Sequence, residues 1–132
     1  MAYKAKVLVV DDDRDFVEGT KIILENGNFQ VLTAFSGQQC LGKVNEEKPD
    51  LVILDIMMPE KSGFEICKEL KNSLEYNRIP VIMLTALRQK LSQTTYPQAE
   101  GLQLEADDYI DKPVEPKELI SRINKLLKGR KT

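Results

Sequence analysis

Acidic side chains directly follow two apolar runs of the sequence. Asp11 and Asp12 come after the run at 7–10, and Asp55 comes after the run at 51–54. If these carboxylates meet, two of them about 4 Å apart repel by roughly 4 kcal/mol at an effective dielectric constant of about 20. Such a cluster requires a cation or raised pKa values. Carboxylate oxygens without sulfur or imidazole ligands suit Mg²⁺, so the pattern indicates a magnesium site.

Asp55 is the candidate nucleophile of this cluster. A carboxylate can attack an incoming phosphoryl group and form an aspartyl phosphate, and phosphoryl transfer requires mainly positioning and electrostatic stabilisation. Thr85 follows a third apolar run, at 81–84, and can donate its hydroxyl to a phosphoryl oxygen. Lys112 follows a fifth predicted strand and can bring an ammonium group to the same phosphoryl group.

Each candidate also has an ordinary structural interpretation. Asp11 and Asp12 could cap a helix, and capping is the favoured interpretation of Asp13. Asp55 could be a loop carboxylate, Thr85 could merely end a strand, and Lys112 could be a surface lysine. The occurrence of suitable residue types at the ends of four strands favours the functional interpretation of the set.

The elements that must position these side chains alternate between strands and helices along the chain. The runs at 7–10 and 51–54 lack polar/apolar alternation, which is typical of strands buried on both faces. Alternation predicts βαβ units and a parallel sheet. The expected strands are 6–10, 30–34, 51–54, 81–84 and 108–110, and the expected helices are 14–25, 37–46, 63–72 and 116–128, besides one between the last two strands.

The predicted fold class is therefore α/β, a doubly wound (βα)5 flavodoxin-like domain with a five-stranded parallel sheet of order 2-1-3-4-5. Its switch point lies between the first and third strands, where ligands bind in such sheets. The fourth helix is expected to be irregular or shortened. Leu87 and Leu91 hint at a helical turn, but Pro97 interrupts it because the residue before a proline avoids the α region.

Composition narrows the function classes. The chain has 132 residues and a formal net charge of −2, which indicates one globular domain without a strong field for nucleic acid or an anionic membrane. No apolar run approaches the roughly 18–20 residues of a membrane span.

The absence of histidine excludes histidine-based catalysis, histidine-ligated zinc and a phosphohistidine donor role. Cys40 and Cys67 lack metal-ligand spacing, and no signal peptide is visible, so we expect a cytoplasmic protein with two buried thiols.

Taken together, the motifs resemble the receiver domains of two-component response regulators, the CheY-like superfamily. The resemblance covers about residues 5–128, so residues 1–132 are expected to form a single receiver domain. The motifs that carry it are Val-Leu-Val-Val-Asp-Asp at 7–12, Asp-Ile-Met-Met-Pro at 55–59 with Gly63, Thr85-Ala86 and Lys112-Pro113.

The resemblance implies that Asp55 is the phosphoacceptor. A sensor histidine kinase or a phosphotransfer protein would donate the phosphoryl group from a phosphohistidine. The domain would catalyse only its own phosphorylation and dephosphorylation and would not otherwise be an enzyme. The implied cofactor is Mg²⁺, with Mn²⁺ as a substitute. Its ligands would be Asp11, largely through water, Asp12, Asp55 and the backbone carbonyl of Met57.

The resemblance further implies that Thr85 and Lys112 hold the phosphoryl group and that Thr85 and Tyr109 form a switch. The peptide bond before Pro113 would be cis. The switch would alter a face formed by the fourth helix, the fifth strand and the last helix. A target protein or an output domain would read that face, without direct nucleic acid or membrane binding by the receiver. The protein would be a monomer or a weak, phosphorylation-dependent dimer.

Two other functions remain open at this point. A magnesium-dependent phosphatase could turn over through an aspartyl phosphate, but such enzymes usually carry a second acid two residues after the nucleophile, where this chain has Met57. A receiver-like binding module that no longer takes phosphate is the other alternative. The intact set of Asp12, Asp55, Thr85 and Lys112 argues against it.

Overall fold

A parallel sheet of five strands forms the centre of the protein. The computed structural model describes residues 3–85 and 106–129, and within them the strand order is β2-β1-β3-β4-β5. All four pairings are parallel. The predicted doubly wound α/β fold is confirmed, and its switch point lies between β1 and β3. The strands are β1 Lys6–Val10, β2 Gln30–Ala34, β3 Leu51–Asp55, β4 Val81–Thr85 and β5 Asp108–Asp111.

Helices cover both faces of the sheet. Those of the described ranges are α1 Arg14–Asn26, α2 Gly37–Glu47, α3 Gly63–Lys71 and the C-terminal helix α4, Pro116–Gly129. Apolar residues of α2 and α3 form one core with the sheet, and those of α1 and α4 form the other. The helix expected between β4 and β5 falls within 86–105, outside the described residues. Within the described helices, none combines the length and the apolar character that crossing a bilayer requires.

The strand residues alternate between these two cores. In β3, Val52 and Leu54 pack with α2 and α3, whereas Leu51 and Ile53 pack with α1 and α4. Burial of both sets explains why the run shows no polar/apolar alternation. Asp55, two residues after Ile53, continues on the α1 and α4 side of the sheet.

Polar N-cap residues precede α1, α2 and α3 at the edge of the sheet where the strands end. The side chain of Asp13 accepts hydrogen bonds from the backbone N–H groups of Asp15 and Phe16, which confirms its predicted role as the cap of α1. Ser36 caps α2. Ser62 caps α3 and forms a capping box with the third residue of that helix. These caps fix where each helix leaves the sheet edge.

Gly63 allows α3 to begin directly against the end of β3. A Cβ atom at this position would lie 2.4 Å from the carbonyl oxygen of Asp55 and 2.7 Å from the Cα of Ile56. The Gly63 N–H donates to the Ile56 carbonyl at 2.8 Å. Because the obstructing atoms are backbone, a larger residue would have to displace the strand that carries Asp55.

Alanine substitutions at two glycines should shift stability in opposite directions. Gly42 is exposed within α2 and a Cβ there would meet nothing within 4 Å. Gly42→Ala should raise the free energy of unfolding by about 0.5–1 kcal/mol, because glycine is unfavourable inside a helix. Gly63→Ala should lower it by about 1–3 kcal/mol through forced backbone displacement. Urea unfolding of both variants measures this, and equal effects would contradict the packing described for Gly63.

Candidate functional site

Three carboxylates meet at the end of the sheet where β1 and β3 lie side by side. Val10 pairs with Leu54, so the residues that follow them, Asp11 and Asp55, are neighbours. Ligand oxygens of Asp11, Asp12 and Asp55 all lie within 4.8 Å of one another. Asp11 and Asp55 are 1% and 5% exposed, whereas Asp12 is exposed. The convergence expected from the strand order is therefore present.

Both carboxylate oxygens of Asp11 accept hydrogen bonds from the protein. Oδ1 accepts from the backbone N–H of Asp13 at 3.0 Å, and Oδ2 accepts from Nζ of Lys112 at 2.8 Å. The Asp11 N–H itself donates to the Ala34 carbonyl at 3.2 Å, beyond the paired residues of β1 and β2. Asp11 is thus a fixed, buried charge, and Asp12 beside it faces solvent.

Lys112 supplies a positive charge to this cluster. Its Nζ atom lies 2.8 Å from Oδ2 of Asp11 and 3.7 Å from Oδ1 of Asp55. Burial alone lowers the pKa of the ammonium group, but the hydrogen bond to Asp11 and the charges of Asp55, Asp11 and Asp13 outweigh it, so the pKa is raised. The Lys112 backbone N–H donates to the Thr85 carbonyl at 2.8 Å, and the bond to Pro113 is cis, as the resemblance implied.

The environment of Asp55 favours its protonated form in the metal-free protein. Burial is the largest cause, the negative charge of Asp11 adds to it, and together they raise the pKa of Asp55 from 3.8 to about 6. The charge of Lys112 and a hydrogen bond from the Met57 N–H oppose this increase, while Asp12 adds slightly to it. The charge of Lys112 is therefore not sufficient to offset burial and the neighbouring carboxylates.

Thr85 brings a buried hydroxyl to the same edge of the sheet. The residue is 4% exposed, and its Oγ1 atom has no hydrogen-bond partner among the residues that the structure describes. A buried hydroxyl without a partner costs about 1–3 kcal/mol, so an oxygen of a bound ligand would stabilise it. The observation fits the role implied for Thr85 at a phosphoryl oxygen.

Tyr109 lies on the same face of the sheet as Thr85. It pairs with Met83 across β4 and β5, and Thr85 pairs with Asp111, two residues further along. Both Met83 and Tyr109 contribute to the core formed with α2 and α3. Because residues two apart in a strand share a face, Thr85 and Tyr109 are adjacent positions on one side of the sheet.

The side chains of the cluster suit a hard divalent cation. Three carboxylates within a few ångströms, without sulfur or imidazole, form a donor set that Mg²⁺ accepts. The raised pKa of Asp55 and the hydroxyl of Thr85 without a described partner fit a site completed by a cation and an anion together. Met57 is half-buried beside Asp55 and packs against the α2 and α3 core.

Sequence reasoning missed one contributor to this site, Phe16. The ring of Phe16 lies under the ammonium group of Lys112, with Nζ 4.4 Å from the ring centroid. The helical spacing of apolar residues places Phe16 on the apolar face of α1 and does not indicate a contact with Lys112. An aromatic residue in the first turn after an acidic cluster was the available signal.

Asp55→Asn should stabilise the metal-free protein at neutral pH but not in acid. A folded-state pKa above the unfolded value gives stability that is present below about pH 4 and lost as pH rises through about 6. The variant should therefore exceed the wild type by about 1–2 kcal/mol at pH 7.5, a value reduced for solvent screening at the site edge. Denaturant unfolding with a chelator at pH 7.5 and pH 4 measures the difference, and a pH-independent difference would contradict this electrostatic cause.

Known proteins are similar to this chain in sequence and in structure. Residues 7–124 match the family model described as the response regulator receiver domain. The alkaline phosphatase synthesis transcriptional regulatory protein PhoP of Bacillus subtilis is 38% identical over 123 residues, covering 93% of this chain and 48% of PhoP. The transcriptional regulatory protein CpxR of Klebsiella pneumoniae is 41% identical over 123 residues, covering 93% of this chain and 49% of CpxR. The chain spans about half the length of the curated relatives it matches.

A solved structure agrees over almost the whole chain. The receiver domain of the Francisella response regulator 1452 superposes with a TM-score of 0.82 at 35% identity, and the match covers 97% of this chain and 100% of that one. The family match extends over most of the chain and includes β3, all but the first residue of β1, and the cluster that these strands carry. The chain therefore belongs to the response regulator receiver domains, the phosphoacceptor domains of two-component signalling.

Proposed function

We propose that Asp55 is the phosphoacceptor and that a phosphohistidine of a sensor histidine kinase or a phosphotransfer protein is the donor. The observation that carries this proposal is the meeting of Asp55, Asp11, Asp12 and Lys112 within one edge of the sheet. Asp55 is the last residue of β3, a strand whose five residues are all buried.

The transfer requires few steps from the protein. A carboxylate oxygen of ionised Asp55 attacks phosphorus, the bond from phosphorus to the donor nitrogen breaks, and that electron pair stays with the donor imidazole. The Lys112 ammonium balances charge on the phosphoryl group, and the Thr85 hydroxyl donates to one of its oxygens. Residues that would hold Mg²⁺ are Asp11, Asp12, Asp55 and the carbonyl of Met57. Bound Mg²⁺ would offset the negative charge that develops during transfer.

Recruitment of Thr85 offers a route from the site to a binding face. The Thr85 carbonyl accepts the Lys112 N–H, and Thr85 and Tyr109 occupy adjacent positions on one face of β4 and β5. We propose that phosphorylation biases a pre-existing equilibrium in which these two residues shift together. A target protein or an output domain would then read the face that includes β5 and α4, in a monomer or a weak dimer.

The curated relatives support the proposal that an output domain reads this face. PhoP and CpxR are named transcriptional regulators, and this chain matches about half of each. A cytoplasmic location and catalysis limited to its own phosphorylation and dephosphorylation accord with a signalling receiver.

Incubation with acetyl phosphate and Mg²⁺ should produce a single phosphoryl adduct visible as an increase in intact mass. Asp55→Asn should abolish the adduct because the attacking carboxylate is gone, and removal of Mg²⁺ should prevent its formation. Asp15→Asn is the matched control, since Asp15 is an exposed carboxylate in the first turn of α1 outside the cluster. Its adduct should form at a rate within about twofold of the wild type, because exposed charges away from a site interact weakly.

Each alternative function predicts another result. Repeated hydrolysis of acetyl phosphate at a high turnover rate would identify a phosphatase. A wild-type protein without any adduct would identify a binding module. An adduct that persists in Asp55→Asn would show that a different residue is the acceptor.

A further inference from the structure

An aromatic ring faces the ammonium group of Lys112 at the acidic site. The Nζ atom lies 4.4 Å from the centroid of the Phe16 ring, within the roughly 6 Å over which a cation is attracted to an aromatic face. The same atom lies 2.8 Å from Asp11 and 3.7 Å from Asp55. Lys112 is thus held by carboxylates and by an uncharged ring.

The ring is fixed by the same segment that carries the carboxylates. Phe16 stands in the first turn of α1, its backbone N–H donates to Oδ1 of Asp13 at 3.2 Å, and its side chain packs against the α1 and α4 core. The backbone N–H of Asp13 in turn donates to Asp11 at 3.0 Å. One helix cap therefore sets the position of Asp11 and of the ring relative to Lys112.

The two kinds of contact respond differently to a divalent cation. A cation at the carboxylates neutralises much of the charge on Asp11 and Asp55, and their attraction for the ammonium group then weakens. An aromatic ring carries no net charge and is not a ligand for Mg²⁺, so the attraction of its electron-rich face for the ammonium group is retained. An aliphatic residue of similar volume would fill the space without that attraction.

We propose that Phe16 is a positioning residue for Lys112, whose ring keeps the ammonium group directed at Asp55 when a divalent cation engages the carboxylates. The inference rests on the proposed role of Lys112 in holding the phosphoryl group. Phe16 does not touch the phosphoryl group in this account, and it acts through Lys112 alone.

A double-mutant cycle on the full chain tests this route. Phe16→Leu retains apolar packing but removes the ring face, and Phe16→Tyr retains the ring. With saturating Mg²⁺ and acetyl phosphate, Phe16→Leu should slow adduct formation at Asp55 by about three- to tenfold, and Phe16→Tyr should keep most of the rate. In a Lys112→Ala background, Phe16→Leu should cause no further slowing. Equal slowing by Phe16→Leu in both backgrounds, or a Phe16→Tyr rate as low as that of Phe16→Leu, would overturn the proposal. If the adduct of Lys112→Ala forms too slowly to measure, the comparison of the Phe16→Tyr and Phe16→Leu rates decides.

The contact itself has a signature that does not depend on phosphorylation. The ε-methylene protons of Lys112 should resonate upfield in the wild type and in Phe16→Tyr, because their carbon is bonded to an Nζ atom that lies 4.4 Å from the ring centroid. They should return toward ordinary positions in Phe16→Leu. A wild-type spectrum without this shift would contradict the contact between Lys112 and Phe16.

A wild type that forms no adduct would overturn the proposed function and, with it, the role of Phe16. Adduct formation at equal rates in all variants would overturn the role of Phe16 alone.

Discussion

Crowding of negative charge at the ends of β1 and β3 is the constraint on which the rest of the site depends. The strands cannot separate to relieve it, because their apolar residues are packed between two layers of helices. Asp11 and Asp55 are both buried, so water screens their repulsion only weakly. The ammonium group of Lys112 reduces the excess charge without removing it, so burial and the charge of Asp11 together raise the pKa of Asp55. A site in this condition favours a divalent cation.

The backbone joins this electrostatic centre to the far edge of the sheet. Lys112 contacts Asp11 through its side chain and Thr85 through its N–H, so one residue belongs both to the acidic cluster and to the end of β4. Further along, Arg122 of α4 donates to Asp108 of β5 at 2.7 Å. The end of β4, β5 and α4 thus form a continuous set of contacts. These contacts connect the residues around Asp55 to the face that we propose a partner reads.

Much of the fold could be predicted because burial leaves clear patterns in the sequence. The apolar runs located β1, β3 and β4. The observed bounds of β1 are those predicted, and β3 and β4 each extend one residue further, to Asp55 and Thr85. The strand order then brought Asp11, Asp12 and Asp55 together by topology alone. Asp13 was predicted to be a cap because it directly precedes α1, where an aspartate oxygen can accept hydrogen bonds from backbone N–H groups of the first turn.

The remaining features depend on contacts that local patterns do not encode. Phe16 has the spacing of an inward-facing residue of α1, but that spacing does not show that its ring meets a lysine from the far end of the chain. The contrast between buried Asp11 and exposed Asp12 is also not visible in the sequence, because both are aspartates that directly follow the same strand. The irregular helix expected within 86–105 lies outside the described residues and stays a prediction.

The most direct test of the central claim is the dependence of stability on Mg²⁺ concentration at pH 7.5. If a cation completes the carboxylate cluster, the free energy of unfolding should rise with Mg²⁺, by about 2.7 kcal/mol at one hundred times the dissociation constant. Asp12→Asn should weaken that rise, and Asp15→Asn, outside the cluster, should leave it unchanged. A stability that does not respond to Mg²⁺, or that responds equally in Asp12→Asn and the wild type, would contradict the account.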